Sequence, residues 1–345
     1  MNTVGAACCL AALLAATLAR AAGPAPPVDV RTDDVERFYR VYDAAGGHPA
    51  AAQLQAQYLA PGSEALHQFV VSRIGSADKL ADAIARRPAD YEKARGCLSA
   101  LARTQAQLPA VFSRMAERYP ASTFPPVTFV IGRGNTGGTT TADGIVIGLE
   151  TMCRVAMQDA DVGERFTHII AHELVHVQQP AAQVDAPPDA TLLFQALLEG
   201  GADFVAELTS GGTANPQLRQ WTAGHECAIE QAFAREALGT DISRWMYNGV
   251  GTPDKPGDLG YWVGYRIAKA YYERAADKKG AIATLLTLDN ASAPRFLKKS
   301  GWKPQAGCPA LSAPTATSSP GTAAGRTPAG SAARSRPDPG TSGHR

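Results

Sequence analysis

Two histidines and a glutamate at a fixed spacing are the residues of this chain best suited to chemistry. His172, Glu173 and His176 lie in the sequence HELVH, within a stretch whose other positions are mostly apolar (residues 166–179). This pattern predicts a largely buried helix. Side chains four residues apart are neighbours on a helix, so both imidazoles can bind one zinc ion at about 2.0–2.1 Å per nitrogen. Glu173 can then take a proton from the attacking water, which predicts metal-assisted hydrolysis.

A catalytic zinc site needs a third protein ligand, and three acidic residues downstream could supply it. Asp185 and Asp189 lie in a proline-rich linker that suits turns and helix caps. Glu199 lies on the next predicted helix and is followed by two glycines, which allow two helices to pack closely. We therefore predict that His172, His176 and Glu199 bind the metal.

Further side chains are predicted to support these ligands. Asp203 lies one turn after the third ligand and is predicted to accept a hydrogen bond from a ligating histidine, which fixes the ring. Hydrolysis also needs a donor for the oxyanion, and the candidates are, in order, Tyr265, Tyr261 and His225. His168 lies one turn before the first ligand, where a role behind the ligands is favoured over metal binding.

Composition limits the classes of partner. The chain has 345 residues, 45% of them hydrophobic, and a net charge of +1. It is therefore expected to fold and to bind no nucleic acid, because no strong positive field is present. Residues 1–22 combine a short apolar run with a small-x-small cleavage sequence, which predicts a signal peptide and an exported, periplasmic or secreted protein. No stable membrane insertion is expected after its removal.

Cysteine usage agrees with export. Removal of the signal peptide leaves an even number of cysteines, which predicts two disulfides with three possible connectivities, free buried thiols being the alternative. None of these cysteines forms a C-x-x-C pair, so a structural zinc site is disfavoured. They are Cys97, Cys153, Cys227 and Cys308.

The order of patterns predicts four regions and an α+β, mainly helical fold. After the signal peptide come a helical region (23–124), the core that holds the metal motif (125–307), and a disordered tail rich in Ala, Pro, Ser and Gly (308–345). Two β-branched stretches, residues 127–132 and 145–149, predict strands around a glycine-rich loop (133–144). This small sheet is expected next to the metal-binding helix, where a strand edge could pair with an extended peptide.

The motifs together resemble a known group of enzymes. HELVH followed by Glu199-Gly-Gly-Ala-Asp203 is similar to the gluzincin pattern. The chain more closely resembles a bacterial family of predicted zinc-dependent proteases, through Gly137–Thr139, Gly148–Glu150 and Tyr261–Ile267. The likeness covers about residues 125–300. It implies a zincin-like metallopeptidase core, Zn²⁺ as cofactor, and a peptide or protein substrate.

Two other functions remain open at the level of sequence. One is a zinc hydrolase that cleaves amides of cell-wall peptides. The other is a binding or maturation factor that keeps the fold without turnover, and the intact Glu173 argues against it.

Overall fold

The computed structural model describes residues 26–154 and 161–307. The predicted signal peptide and the predicted tail lie outside the described residues. Within the described part the chain is mainly helical with small sheets, which confirms the α+β prediction. The helices are α1 (Asp33–Ala44), α2 (Ala51–Leu54), α3 (Glu64–Phe69), α4 (Ala77–Arg86), α5 (Pro88–Gly96), α6 (Leu101–Arg118), α7 (Leu149–Arg154), α8 (Val162–Gln178), α9 (Ala181–Val184), α10 (Leu192–Ser210), α11 (Gln217–Trp221), α12 (Glu226–Glu236), α13 (Leu259–Arg274), α14 (Lys278–Leu286) and α15 (Ala293–Ser300).

One four-stranded sheet supports the metal-binding helix. Its strands are β1 (Val30–Arg31), β2 (Val127–Val130), β3 (Gly138–Thr141) and β4 (Gly144–Gly148). Their order is β1-β2-β4-β3, with β2 parallel to β4 and β3 antiparallel to it. Strand β3 is therefore an edge strand of this sheet. A separate hairpin, β5 (Gly251–Thr252) and β6 (Lys255–Pro256), precedes α13.

Strand β3 differs from the prediction, which placed a loop over residues 133–144. Residues 138–141 of that loop form a strand because three successive threonines, which favour extended backbone, follow Gly138. The tight turn at residues 142–143 then brings them into register with β4, so that Thr139 faces Val146.

Two predicted N-terminal helices continue into π-helical turns. Helix α2 runs into the π segment Gln55–Leu59, and α3, which is capped by the Ser63 hydroxyl, runs into the π segment Val70–Ile74. The second segment ends at Gly75, whose φ of +84° suits glycine. Such turns are rare and shift the direction of the side chains that they carry.

The N-terminal helices pack directly on the sheet. Strand β1 pairs with β2, and the buried Tyr58 hydroxyl both donates to the Ile131 carbonyl (2.7 Å) and accepts from the Ile131 N–H (2.9 Å). A disulfide joins Cys97, between α5 and α6, to Cys153 at the end of α7. Cys227 is disulfide-bonded as well. The Cys97–Cys153 pairing matches one of the three predicted connectivities.

Helices α8, α10 and α13 pack together closely enough to bring distant residues into one site. The Asp161 carboxylate caps α8, and the Thr191 hydroxyl caps α10. A Cβ on Gly200 would lie 2.3 Å from the backbone nitrogen of Tyr265, and one on Gly264 would lie 1.7 Å from the Ala196 carbonyl oxygen. Glycine is therefore required on both sides of the α10–α13 contact. In the part of the chain that the structure describes, no helix combines the length and apolar character needed to cross a bilayer.

Candidate metal centre

Three buried side chains from α8 and α10 converge on one point. His172 Nε2 lies 3.0 Å from His176 Nε2, and Glu199 Oε2 lies 3.3 Å and 3.2 Å from these two nitrogens. Tetrahedral coordination at about 2.0–2.1 Å requires ligand atoms about 3.3–3.4 Å apart. The three atoms therefore fit a zinc ion and leave one coordination position open. Asp185 and Asp189, the other candidates for the third ligand, are exposed on the segment between α8 and α10.

The electrostatics of the cluster suit a cation. Burial disfavours protonation of His172, but hydrogen bonds to Asp203 and Glu199 outweigh it and hold the pKa of the ring well above its usual value. Burial also opposes ionisation of Glu199. The charge of His176 and hydrogen bonds from both histidines prevail and hold the pKa of Glu199 well below its usual range. Bound zinc takes the place of the proton that the cluster otherwise attracts.

Each ligating ring is held by a second hydrogen bond. His172 Nδ1 donates to Asp203 Oδ1 (2.9 Å), as predicted, and the Ala214 N–H donates to the same carboxylate oxygen (3.2 Å). His176 Nδ1 donates to Gln179 Oε1 (2.7 Å). Such contacts leave Nε2 of each ring directed at the centre of the cluster, where a metal would be held. The sequence reasoning missed Gln179, although its place one turn after His176 at the end of the same helix could have indicated it.

Glu173 lies beside the ligands and against the edge strand. Its side chain is buried, and burial raises the pKa of its carboxyl while the charges of His176 and His172 oppose the rise. A Cβ on Gly138 of β3 would lie 2.7 Å from Glu173 Oε1 and 2.8 Å from its Cγ. The absence of a side chain at Gly138 therefore makes the space that Glu173 occupies. Glu173 is thus next to both the metal cluster and β3.

Tyr247 reaches the cluster from the loop that precedes β5 and was not predicted. Its hydroxyl donates to Glu199 Oε1 (2.9 Å), and its side chain is 40% exposed. Its φ of +55° is strained for a tyrosine, and strained residues concentrate at functional sites. The Tyr261 ring packs edge-on against Tyr247 and stacks over His172, with centroids 6.4 Å apart. The Tyr261 ring therefore lines one side of the cluster.

A reciprocal pair of hydrogen bonds holds the loop that carries Tyr247. The Asn248 N–H donates to Asp258 Oδ1 (2.8 Å), and the Asp258 N–H donates to Asn248 Oδ1 (2.6 Å), which closes the β5–β6 hairpin at its base. Burial and the nearby charge of Glu199 raise the pKa of Asp258 to about 6, although backbone N–H groups oppose the rise.

The other predicted side chains make contacts with groups outside the cluster of His172, His176 and Glu199. The Tyr265 hydroxyl donates to Glu207 on α10, which makes Tyr265 a less suitable oxyanion donor than Tyr247. His225 is exposed immediately before α12. Among the described residues, no hydrogen bond or ion pair joins its side chain to His172, His176 or Glu199. His168 Nδ1 pairs with the Ser210 hydroxyl (2.9 Å) near the end of α10.

A cavity of about 540 Å³ lies beside Asp203 between α10, α11 and α13. It is lined by Trp262, Trp302 and Arg266 but by none of the three ligands. It therefore borders the hydrogen-bonded support of His172 and is not the metal site itself.

Comparison with known proteins agrees with this geometry. Residues 127–292 match the family described as "Predicted Zn-dependent protease (DUF2268)". This segment of the chain is therefore similar to that family. The predicted resemblance is therefore confirmed, and so is zinc as the cofactor, since the cluster of His172, His176 and Glu199 can hold a metal ion. No curated protein and no solved structure shows a significant match. The family description indicates a zinc-dependent hydrolase that acts on peptides or proteins.

Proposed function

We propose that this protein is an exported zinc peptidase with a zincin-like core, in which Glu173 is the general base. The main observation in support is that Glu173 lies between the cluster that can hold a metal ion and the edge strand β3. His172, His176 and Glu199 would hold the zinc ion, which would supply a Lewis acid for the scissile carbonyl and for the attacking water. The chain supplies the remaining parts of the reaction.

Glu173 moves the proton. Its carboxylate accepts a proton from the attacking water and delivers it to the leaving amine. Burial raises the pKa of Glu173, which makes the carboxylate more basic. Because Asp203 and Gln179 hold the two histidine rings, the ligands and the base keep a fixed relative geometry. This rigidity lowers the cost of reaching the transition state.

Tyr247 is proposed to stabilise the oxyanion. Its hydroxyl donates to Glu199, so it lies at the cluster that would hold the metal and where the substrate carbonyl would be attacked. A phenol that donates to this developing charge would replace Tyr265 and His225 in the role predicted from the sequence. Its partial exposure leaves the ring accessible to substrate.

Strand β3 is proposed to bind the substrate backbone. In the described sheet it pairs on one side only, with β4. An extended peptide that adds to its other side forms backbone hydrogen bonds and passes Gly138, which touches Glu173. The scissile bond is thereby held next to the base.

Export is supported by the N-terminal sequence and by a disulfide bond. Residues 1–22 carry the features of a signal peptide, and the Cys97–Cys153 disulfide suits an oxidising compartment. Secretion by cells that produce the full chain, with loss of residues 1–22 read by N-terminal sequencing, would test this part of the proposal.

The proposed reaction is tested with Glu173→Gln, using Glu164→Gln as a control on the same helix. Glu164 binds Arg103 and Gln107 at the surface, away from the ligands. On casein and on peptidoglycan peptide fragments, Glu173→Gln should lose about 10²- to 10⁴-fold in kcat while it retains zinc. Glu164→Gln should retain activity.

Each result assigns a function. Cleavage of casein supports the peptidase, and cleavage of peptidoglycan fragments alone moves the activity to cell-wall amides. Hydrolysis that Glu173→Gln leaves unchanged contradicts the mechanism. Stoichiometric zinc without turnover on any peptide indicates a binding factor, and loss of zinc in His172→Ala checks the metal site in every case.

A further inference from the structure

Arg73 lies outside the family-matched segment and reaches the edge strand of the proposed peptide site. It is carried by the π segment Val70–Ile74 of the N-terminal helical layer. Its guanidinium Nη2 donates to the Thr139 hydroxyl of β3 (3.0 Å). Thr139 directly follows Gly138, the residue that packs on Glu173. The N-terminal region therefore places a cation beside Thr139, and the preceding strand residue, Gly138, packs on the proposed general base.

The backbone around Arg73 is fixed to the rim of the site. The Arg73 carbonyl accepts hydrogen bonds from Arg133 Nε (2.9 Å) and Asn135 Nδ2 (3.1 Å), both in the loop that leads to β3. The π turn ends at Gly75, whose N–H donates to the Val70 carbonyl (2.7 Å). The backbone of Arg73 is thus held by its own segment and by the loop, and its guanidinium is held at β3 by the bond to Thr139.

The position of Arg73 predicts which part of a bound peptide it contacts. A peptide that adds to β3 places one residue beside Gly138, at Glu173, and a neighbouring residue beside Thr139. Guanidinium presents a planar fork of N–H donors that matches a carboxylate, and a charge-assisted bond of this kind is stronger than a neutral one. A partly buried setting strengthens it further, because water screens it less.

We propose that Arg73 binds a substrate carboxylate next to the scissile bond and so selects acidic substrates. The carboxylate is either the C-terminal group of the peptide or the side chain of an aspartate or glutamate. This proposal rests on the proposed peptidase function and adds a specificity-determining residue to it. It also gives the N-terminal helices a role in substrate choice.

The test compares matched peptides in wild type, Arg73→Gln, Arg73→Lys and Arg87→Gln. Arg87 is the control because its Nη2 donates to the Arg133 carbonyl and holds the same loop from the side of α5. One peptide pair differs by a free or an amidated C-terminus, and a second pair differs by internal glutamate or glutamine. Each variant is first checked for stoichiometric zinc and for an unchanged melting temperature.

The measured quantity is the ratio of kcat/KM for the charged peptide over its neutral partner. A charged hydrogen bond corresponds to roughly a 10- to 100-fold preference in the wild type, expressed mainly in KM. Arg73→Gln should bring the ratio close to one, Arg73→Lys should restore part of it, and Arg87→Gln should keep it. The peptide pair that shows the preference identifies the source of the carboxylate.

Failure of this proposal can be told apart from failure of the peptidase. Hydrolysis without any preference for the charged peptides, or a preference that survives in Arg73→Gln, contradicts the role of Arg73 alone. Binding of the same peptides to zinc-loaded Glu173→Gln, measured by calorimetry, gives a readout that needs no turnover. Equal affinity for charged and neutral peptides in that experiment also overturns the proposal.

Discussion

Replacement of Gly138 by alanine tests the contact between the edge strand and Glu173, the proposed general base. The added Cβ would lie 2.7 Å from Glu173 Oε1, whereas ordinary contact begins at 3.4 Å, so the carboxylate has to move by about 0.7 Å. The φ of Gly138 does not fall in the left-handed region, so alanine can adopt its backbone. A displacement of about 1 Å at a reacting group can cost on the order of 100-fold. We expect kcat to fall roughly 30- to 100-fold.

Gly137→Ala is the matched control. Its Cβ would meet the Met152 sulfur at 2.7 Å, and this thioether can move aside because its side chain is flexible. Initial rates on a cleaved peptide give kcat and KM for both variants, with zinc content and melting temperature measured alongside. A folded, zinc-loaded Gly138→Ala enzyme with kcat within threefold of wild type would refute the reasoning. So would an equal loss in both variants.

Three further changes probe the support around the metal. Asp203→Asn weakens the acceptor of the His172 Nδ1–H bond and should reduce zinc affinity about 10- to 100-fold, as measured by competition with a chelator; unchanged affinity contradicts the assignment. Tyr247→Phe should lower kcat about 10²- to 10³-fold with zinc retained, whereas Tyr265→Phe should have a small effect, and the reverse order would restore Tyr265 as the donor. The pKa of Asp258 is about 6 in the folded protein and 3.8 for the free side chain. Between pH 3.8 and pH 6, Asp258 therefore holds a proton in the folded state that it has lost in the unfolded state. The free energy of unfolding should therefore fall by up to about 3 kcal/mol as the pH rises from 4 to 6, and this dependence should disappear in Asp258→Asn in denaturant titrations.

Local patterns were sufficient to predict most helices and the three residues of the cluster that can hold a metal ion. The spacing of His172 and His176 fixes their geometry on any helix, so the structure only has to form that helix. The pair of glycines after Glu199 indicated close packing, and Gly200 indeed lies against α13. These features depend on residues near each other in the chain.

The remaining contacts depend on the tertiary fold. Tyr247 lies 48 residues after Glu199 and reaches it through a strained loop that carries no recognisable motif. Arg73 lies 66 residues before Thr139, and its direction is set by a π turn that an apolar pattern cannot distinguish from an α-helix. Strand β3 was predicted as part of a loop because its short run of threonines lies among glycines, which favour a loop.

The disulfide between Cys97 and Cys153 has a consequence for cleavage of the protein itself. The two cysteines are 56 positions apart in the sequence, and the segment between them contains α6 and strands β2, β3 and β4. A single cut in the glycine-rich loop before β3 would leave both pieces covalently joined through the sulfurs. The nicked protein would therefore keep its edge strand attached, with one band on a non-reducing gel and two on a reducing gel.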